Sequence, residues 1–179
     1  MTAAEQHSFS LQAQVRFRTA IREDLPKLEW GGEYLHFRRV FQRTYEEQIA
    51  GDRLMLVADF NGFPIGQIFI QLQSLDRMFW DFRKRGYFYS LRVMEPFRGL
   101  GLGTALLEEA ESILQERNYH MVTIAAAKEN ARARRLYERC GYRVVSEDAG
   151  RWSYIDHEGV TRYVHEPCWI LEKNLRPPR

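Results

Sequence analysis

Residues 87–142 constrain the fold most. Their centre is Arg98-Gly99-Leu100-Gly101-Leu102-Gly103. An apolar and aromatic run, Tyr87-Phe88-Tyr89-Ser90-Leu91-Arg92-Val93, precedes it. A helical apolar pattern follows, with Leu102, Leu106, Ala110, Ile113 and Leu114 on one face. Glu108, Glu109, Glu111, Gln115 and Glu116 cover the opposite side. The order is strand, glycine-rich turn, helix. Turn residues with so little side chain let backbone N–H groups close around a phosphate, and the helix that starts there adds its positive dipole end. An anion site is expected at this turn, although a simple tight turn also satisfies the glycines. No Gly-Lys-Ser/Thr closes the run, so it is not a Walker loop. Thr104 and Leu106 stand where a dinucleotide fingerprint needs its third glycine.

A second motif lies downstream. Asn130-Ala131-Arg132-Ala133-Arg134-Arg135-Leu136-Tyr137 is followed by Cys140-Gly141-Tyr142. Together the two segments resemble the GNAT superfamily of acyl-CoA-dependent N-acyltransferases. The first is similar to that family's R/Q-x-x-G-x-G/A pyrophosphate loop, the second to its N-x-x-A-x-x-L-Y-x-x-x-G-F/Y segment. The motif-bearing part covers about a third of the chain.

The resemblance implies an α/β fold of the GNAT acyltransferase type: a mixed, twisted sheet of about seven strands with helices on both faces. It implies acetyl-CoA as co-substrate and a splayed gap between the fourth and fifth strands for the pantetheine arm. Leu91, Arg92 and Val93 would lie beside the thioester and pantetheine, their backbone pairing with the arm as an added strand does. A backbone N–H there would face the oxyanion. Arg98, Gly99, Leu100, Gly101, Leu102 and Gly103 would hold the pyrophosphate through N–H groups, and Thr104 would add its hydroxyl. Asn130 resembles the family's cofactor-contacting asparagine, and it also reads as a helix N-cap. Tyr137, two turns further on, resembles a catalytic acid that contacts the cofactor and protonates the departing thiolate. A packing tyrosine is the alternative.

The amine must lose a proton before it attacks, and here the match fails. Some family members carry a glutamate five positions before the motif asparagine, where this chain has Ala125. Glu29 and Glu33, flanking Gly31-Gly32, are the substitutes considered, acting through water; His36, His157 and His165 are weaker ones. Arg132, Arg134 and Arg135 are either a solvated helix face or contacts to the nucleotide phosphates. Arg83-Lys84-Arg85 reads as a surface loop or an acceptor-side lip. A non-catalytic acyl-CoA-binding module on the same fold is the alternative function.

Composition supports one globular domain. The chain has 179 residues, 45% of them apolar and 28% charged. We expect a loose tail over residues 1–10, one domain over 11–175 and a frayed end over 176–179. Net charge is +2, so no basic field argues for nucleic acid. No apolar run approaches the ~20 residues of a membrane span, and residues 1–8 lack a signal-peptide build. Cys140 and Cys168 form no metal pattern and no disulfide framework. No metal, a cytoplasmic setting and a small-molecule or protein amine acceptor are expected; a homodimer is left open.

The rest of the order is read from periodicity. Leu11, Ala13, Val15 and Phe17 alternate as a first strand. A short helix starts near Glu23, and a second spans 33–50 with Tyr34, Phe37, Phe41, Tyr45 and Ile49 on one stripe. Strands are expected over 54–59 and 63–73, joined by the Asn61-Gly62 turn, with Gly66 marking a bulge. A loop over 74–86 leads to a strand over 87–93. After the glycine-loop helix come a strand over 119–126 and a helix over 130–140. Strands over 142–146 and 163–171 follow, separated by a polar connection over 147–162.

Overall fold

The computed structural model describes residues 14–72 and 85–175. The expected tails at 1–10 and 176–179, the start of the first strand and nearly all of the 74–86 loop lie outside these residues. The strands are β1 (Val15–Thr19), β2 (Arg53–Phe60), β3 (Phe63–Gln71), β4 (Arg85–Val93), β5 (Met121–Ala127), β6 (Arg143–Asp148), β7 (Arg151–Ile155), β8 (Thr161–His165) and β9 (Cys168–Asn174). The helices are α1 (Arg38–Ala50), α2 (Leu102–Glu116) and α3 (Ala131–Arg139). A seven-stranded sheet runs in the order β1-β2-β3-β4-β5-β9-β6, and β7 and β8 form a separate hairpin. The β4–β5 pair is parallel, as the β-α-β unit requires; the other described pairs are antiparallel.

Alternation builds two cores. Along β2, Leu54, Leu56 and Ala58 face one side, where Ile68, Ile70, Phe88, Leu106, Leu107 and Leu114 complete a core under α2 and α3. Met55 and Val57 face the other side, where they meet Phe69, Phe41 and Leu28 under α1. A strand whose neighbours on both faces are apolar must be covered on both faces. The helices do this.

Two irregularities shape the centre. Ala58 pairs with Gly66 but Asp59 with Pro64, so an extra residue sits beside Gly66. A Cβ on Gly66 would come within 3.1 Å of the Leu106 side chain, so glycine permits α2 to close on the sheet. In β4, Tyr89 pairs with Phe69 and Arg92 with Gln67, so Ser90 and Leu91 together oppose Ile68. Ser90 carries φ +53°. This is a β-bulge, and it resets the alternation of every residue after it. β4 and β5 stay paired only from Arg85 opposite Met121 to Phe88 opposite Ile124. Beyond that point β4 follows β3, β5 follows β9, and a wedge opens between them.

Several expectations change. The helix over 33–50 is a single 3₁₀ turn, Leu35–Phe37, followed by α1. The helix before it is two 3₁₀ turns, Arg22–Asp24 and Lys27–Gly32. Trp30 there has φ +43°, held by burial and by its Nε1–H donating to the Pro64 carbonyl at 2.9 Å. Ile49 is 72% exposed. Steps of four residues advance 40° beyond a full turn, so Ile49 lies about 80° from Phe41 around the helix. Thr44 and Gln48 take the inward places; Gln48 bridges the Ala20 carbonyl and the Met55 N–H. Glu111, expected outside, is buried and accepts from Tyr142 at 2.9 Å and Lys173 at 2.6 Å. The connection over 147–162 contains β7 and the hairpin turn. The strand expected over 163–171 is two strands, broken at Glu166-Pro167. Arg85 belongs to β4, not to a loop, and pairs with Glu172.

Candidate active site

The glycine loop leaves its donors exposed. Gly99 has φ +82° and Gly101 φ +85°, and a Cβ at either would meet nothing within 4 Å. Both conformations favour glycine, and both leave room above the backbone. α2 begins at Leu102, and its first internal bond runs from the Ala105 N–H to the Gly101 carbonyl at 3.0 Å. Consecutive N–H groups from Gly99 to Thr104 therefore have no acceptor among the described residues. Such a cluster at a helix start suits phosphate oxygens.

The wedge continues this surface. The Met94 N–H donates to Ile65 at 2.9 Å on the β3 side, so Val93 turns its N–H and carbonyl toward the opening. Leu91, within the bulge, has no partner in the ladder. The side chains of Leu91 and Val93 pack on the α2-side core. Arg98 is exposed and folds back, its Nε–H donating to the Val93 carbonyl at 2.8 Å. An unpaired strand edge that ends at an N–H cradle fits an extended ligand with a phosphate group at one end.

The second motif closes the other wall. Asn130 caps α3, its Oδ1 accepting from the Ala133 N–H at 3.0 Å. Tyr137 is 6% exposed, with its ring 6.1 Å from that of Tyr142. Its hydroxyl has no hydrogen-bond partner among the described residues. Burial, with Tyr87 and Cys140 nearby, pushes the phenol well above its ordinary pKa, so it stays protonated at neutral pH. The Thr104 side chain lies beside the Cys140 thiol, and its backbone N–H has no acceptor among the described residues. Burial raises the Cys140 thiol, which disfavours a nucleophile there. Arg134 is committed to Glu138 at 2.9 Å and lies over the Trp169 ring; Arg132 and Arg135 are exposed.

The residues around Gly31-Gly32 and the β7–β8 hairpin form a wall on the α1 side of the sheet. Ala125 pairs with Ile170 in the sheet and brings no titratable group. Glu29, considered as a water-linked base, is buried and gripped by Arg38 at 2.6 and 2.9 Å, so it is a structural anion. Glu33 is exposed beside Tyr34. His36 joins an aromatic wall, 4.2 Å from Phe37 and 6.1 Å from Tyr154. Burial, then Arg92 and His157, hold its pKa below the ordinary value against the pull of Asp156, so the ring is neutral near pH 7. The β7–β8 hairpin leans on this wall through Trp152 and Tyr154. Asp156 organises its turn, accepting from the Glu158 and Val160 N–H groups and from Arg162. The sequence places the acceptor side over residues 30–34 and 147–162 but singles out neither Trp152 nor Tyr154, because a scattered Trp-x-Tyr carries no motif. Among the described residues, no cluster of His, Cys, Asp and Glu could hold a metal, and no helix is long and apolar enough to cross a membrane.

Comparison with known proteins agrees with this geometry. The model of the acetyltransferase (GNAT) family matches residues 18–142. An uncharacterised N-acetyltransferase of Methanocaldococcus jannaschii is 38% identical over 88 residues, 49% of this chain and 51% of that one. A mycothiol acetyltransferase of Propionibacterium freudenreichii subsp. shermanii is 37% identical over 70 residues, 39% of this chain and 22% of the relative. The chain thus spans about half the length of the first relative and less of the second. Two crystal structures share the fold. An acetyltransferase of the GNAT family from Desulfovibrio desulfuricans superposes with TM-score 0.69 at 17% identity, covering 91% of this chain and all of that one. Arabidopsis thaliana NAA60 in complex with acetyl-CoA gives TM-score 0.67 at 20% identity, covering 90% of this chain and 98% of that one.

Proposed function

This chain belongs to the GNAT acetyltransferase family, and from that premise we propose that it moves an acetyl group from acetyl-CoA to a primary amine. The observation that carries the reading is the row of unpartnered N–H groups from Gly99 to Thr104, adjoining the unpaired edge of β4. Acetyl-CoA supplies an acyl group already activated as a thioester. The chain's own residues then have four tasks. Gly99 to Thr104 hold the pyrophosphate, and the Leu91–Val93 backbone receives the pantetheine arm. An N–H of the bulged strand faces the oxygen that turns negative as the amine attacks. Tyr137 gives its proton to the sulfur as the carbon–sulfur bond breaks. The amine proton leaves through water toward Glu33 or the neutral His36 ring.

One observation favours a second reading. With alanine at 125 and Glu29 bound to Arg38, neither of these positions offers a free base beside the wedge, and any proton transfer to Glu33 or His36 runs through water. A module that binds acyl-CoA without transferring the acyl group would also look like this. Thiol release from acetyl-CoA with a panel of amines separates the two. Release that requires an amine is expected. Tight binding of acetyl-CoA with no amine-dependent release supports the module instead.

A further inference from the structure

Among the described residues, the buried carboxylates Asp24, Glu29 and Glu111 each have a cationic partner. Asp24 bonds Arg18, Glu29 bonds Arg38 and Glu111 bonds Lys173. Arg92 differs. Its Nη1 is fully buried and has no hydrogen-bond partner among the described residues. No described carboxylate forms an ion pair with it; Glu33 and Glu166 act on it only at longer range. Its guanidinium carbon lies 4.3 Å from the centre of the Tyr34 ring and 4.8 Å from that of Phe37. Rings against a guanidinium fix its plane and leave its edges for hydrogen bonds. A buried donor left unmade is costly, more so on a charged group.

Gln67 stands directly opposite Arg92 in the ladder and on the same face. It is fully buried, and its Oε1 also has no partner among the described residues. Its Nε2 reaches the Ser90 carbonyl, in the bulge, at 3.4 Å. A charged donor and a neutral acceptor therefore lie side by side, both unused, next to the strand segment assigned to the thioester. The wall beyond them is aromatic, from His36, Trp152 and Tyr154.

We infer that Arg92 and Gln67 select an acceptor that carries a carboxylate a few bonds from its amine, as an amino acid does. Arg92 takes the carboxylate in a two-pronged contact. Gln67 Oε1 takes an amine N–H and holds the nitrogen beside the bulge. Arg92 lies between Leu91 and Val93 on one strand, so the carboxylate and the acetyl group are only a side chain's reach apart. That geometry favours compact acceptors. Polyamines would bring a second cation toward the half-buried Arg92 guanidinium, and aminoglycosides would bring several, so both are disfavoured. The assignment of the nitrogen rests on the acetyl-transfer reading; the anion site itself does not.

Two measurements test it. In the first, N-acetyl-L-amino acids and their N-acetyl carboxamides are titrated into the protein without acetyl-CoA. The acids should bind ~30-fold or more tightly than the amides. Arg92→Gln should abolish that preference, and Arg92→Lys should restore part of it; thermal unfolding checks that both variants are folded. In the second, CoA release is followed with L-amino acids, their carboxamides and spermidine. The ratio of kcat/KM for acid over amide should be large in wild type and fall toward one in Arg92→Gln. Equal binding of acids and amides, or a preference that survives in both variants, overturns the inference. CoA release with no advantage for acids also overturns it and leaves acetyl transfer standing. Arg92-dependent binding of acids without CoA release from any amine supports the anion site and sinks acetyl transfer.

Discussion

Tyr137 is held as a neutral phenol in a buried place. Burial raises its pKa above the ordinary value near 10. The sign matters for its pH behaviour: a raised phenol keeps its proton at and above pH 10, so it does not titrate at working pH. Tyr137→Phe should lower turnover ~10²-fold or more, while the affinity for acetyl-CoA changes little. The ratio of wild type to variant should stay constant between about pH 7 and pH 9. A pH–rate series checks both; a loss below twofold makes Tyr137 a packing residue. The motif residues Gly99, Gly101, Asn130 and Tyr137 were legible because each needs a particular conformation or group at a fixed spacing. Arg92 was visible only as backbone. A lone arginine in an apolar strand is a signal, but the face it occupies depends on a bulge that leaves no mark in composition. Glu111 was misjudged because helical periodicity sees only its own helix, while its partners come from 142 and 173.

At the scale of elements, the β7–β8 hairpin shows where periodicity fails. Its strands are mostly exposed, so neither carries the alternation that marks a half-buried strand. Long-range contacts hold it instead. Gly150, at φ +61°, sits so close to the next crossing that a Cβ would lie 1.8 Å from the Glu166 carbonyl oxygen. The Glu166 N–H donates to the Gly150 carbonyl at 2.9 Å. Gly150→Ala should therefore cost about 1–3 kcal/mol more than a left-handed glycine loses elsewhere. Gly51→Ala is the control, since Gly51 has φ +88° and nothing near its Cβ. Hydrogen exchange should show the Glu166 amide losing protection in Gly150→Ala but not in Gly51→Ala. Because the hairpin carries Trp152 and Tyr154, KM for the amine should rise in the first variant alone. Equal behaviour of the two would mean that the crossing tolerates a methyl group.

For the whole molecule, the β-α-β core and its parallel pairing followed from strand and helix order alone. The place of β9, between β5 and β6, did not, because no local pattern says which edge a last strand joins. The wedge at the centre should make stability depend on ligand. At 100 times its dissociation constant, acetyl-CoA should add ~2.7 kcal/mol. For a chain of this size that raises the Tm by roughly 5–10 °C. NAD at the same concentration should leave it unchanged, and a matching shift with NAD would argue for a dinucleotide site. The bulge at Ser90 has a further consequence. It divides one strand into two vocabularies: Leu91 and Val93 lean toward the α2 side, Arg92 toward the Tyr34 and Phe37 rings. On the proposed reading, substitution at 92 rewrites which amine is admitted while the residues on either side keep the acetyl donor in place. Loss of a single residue at the bulge would exchange the two vocabularies at once. Variation in acceptor among descendants of this chain should therefore accumulate by replacement along β4, and not by insertion or deletion within it.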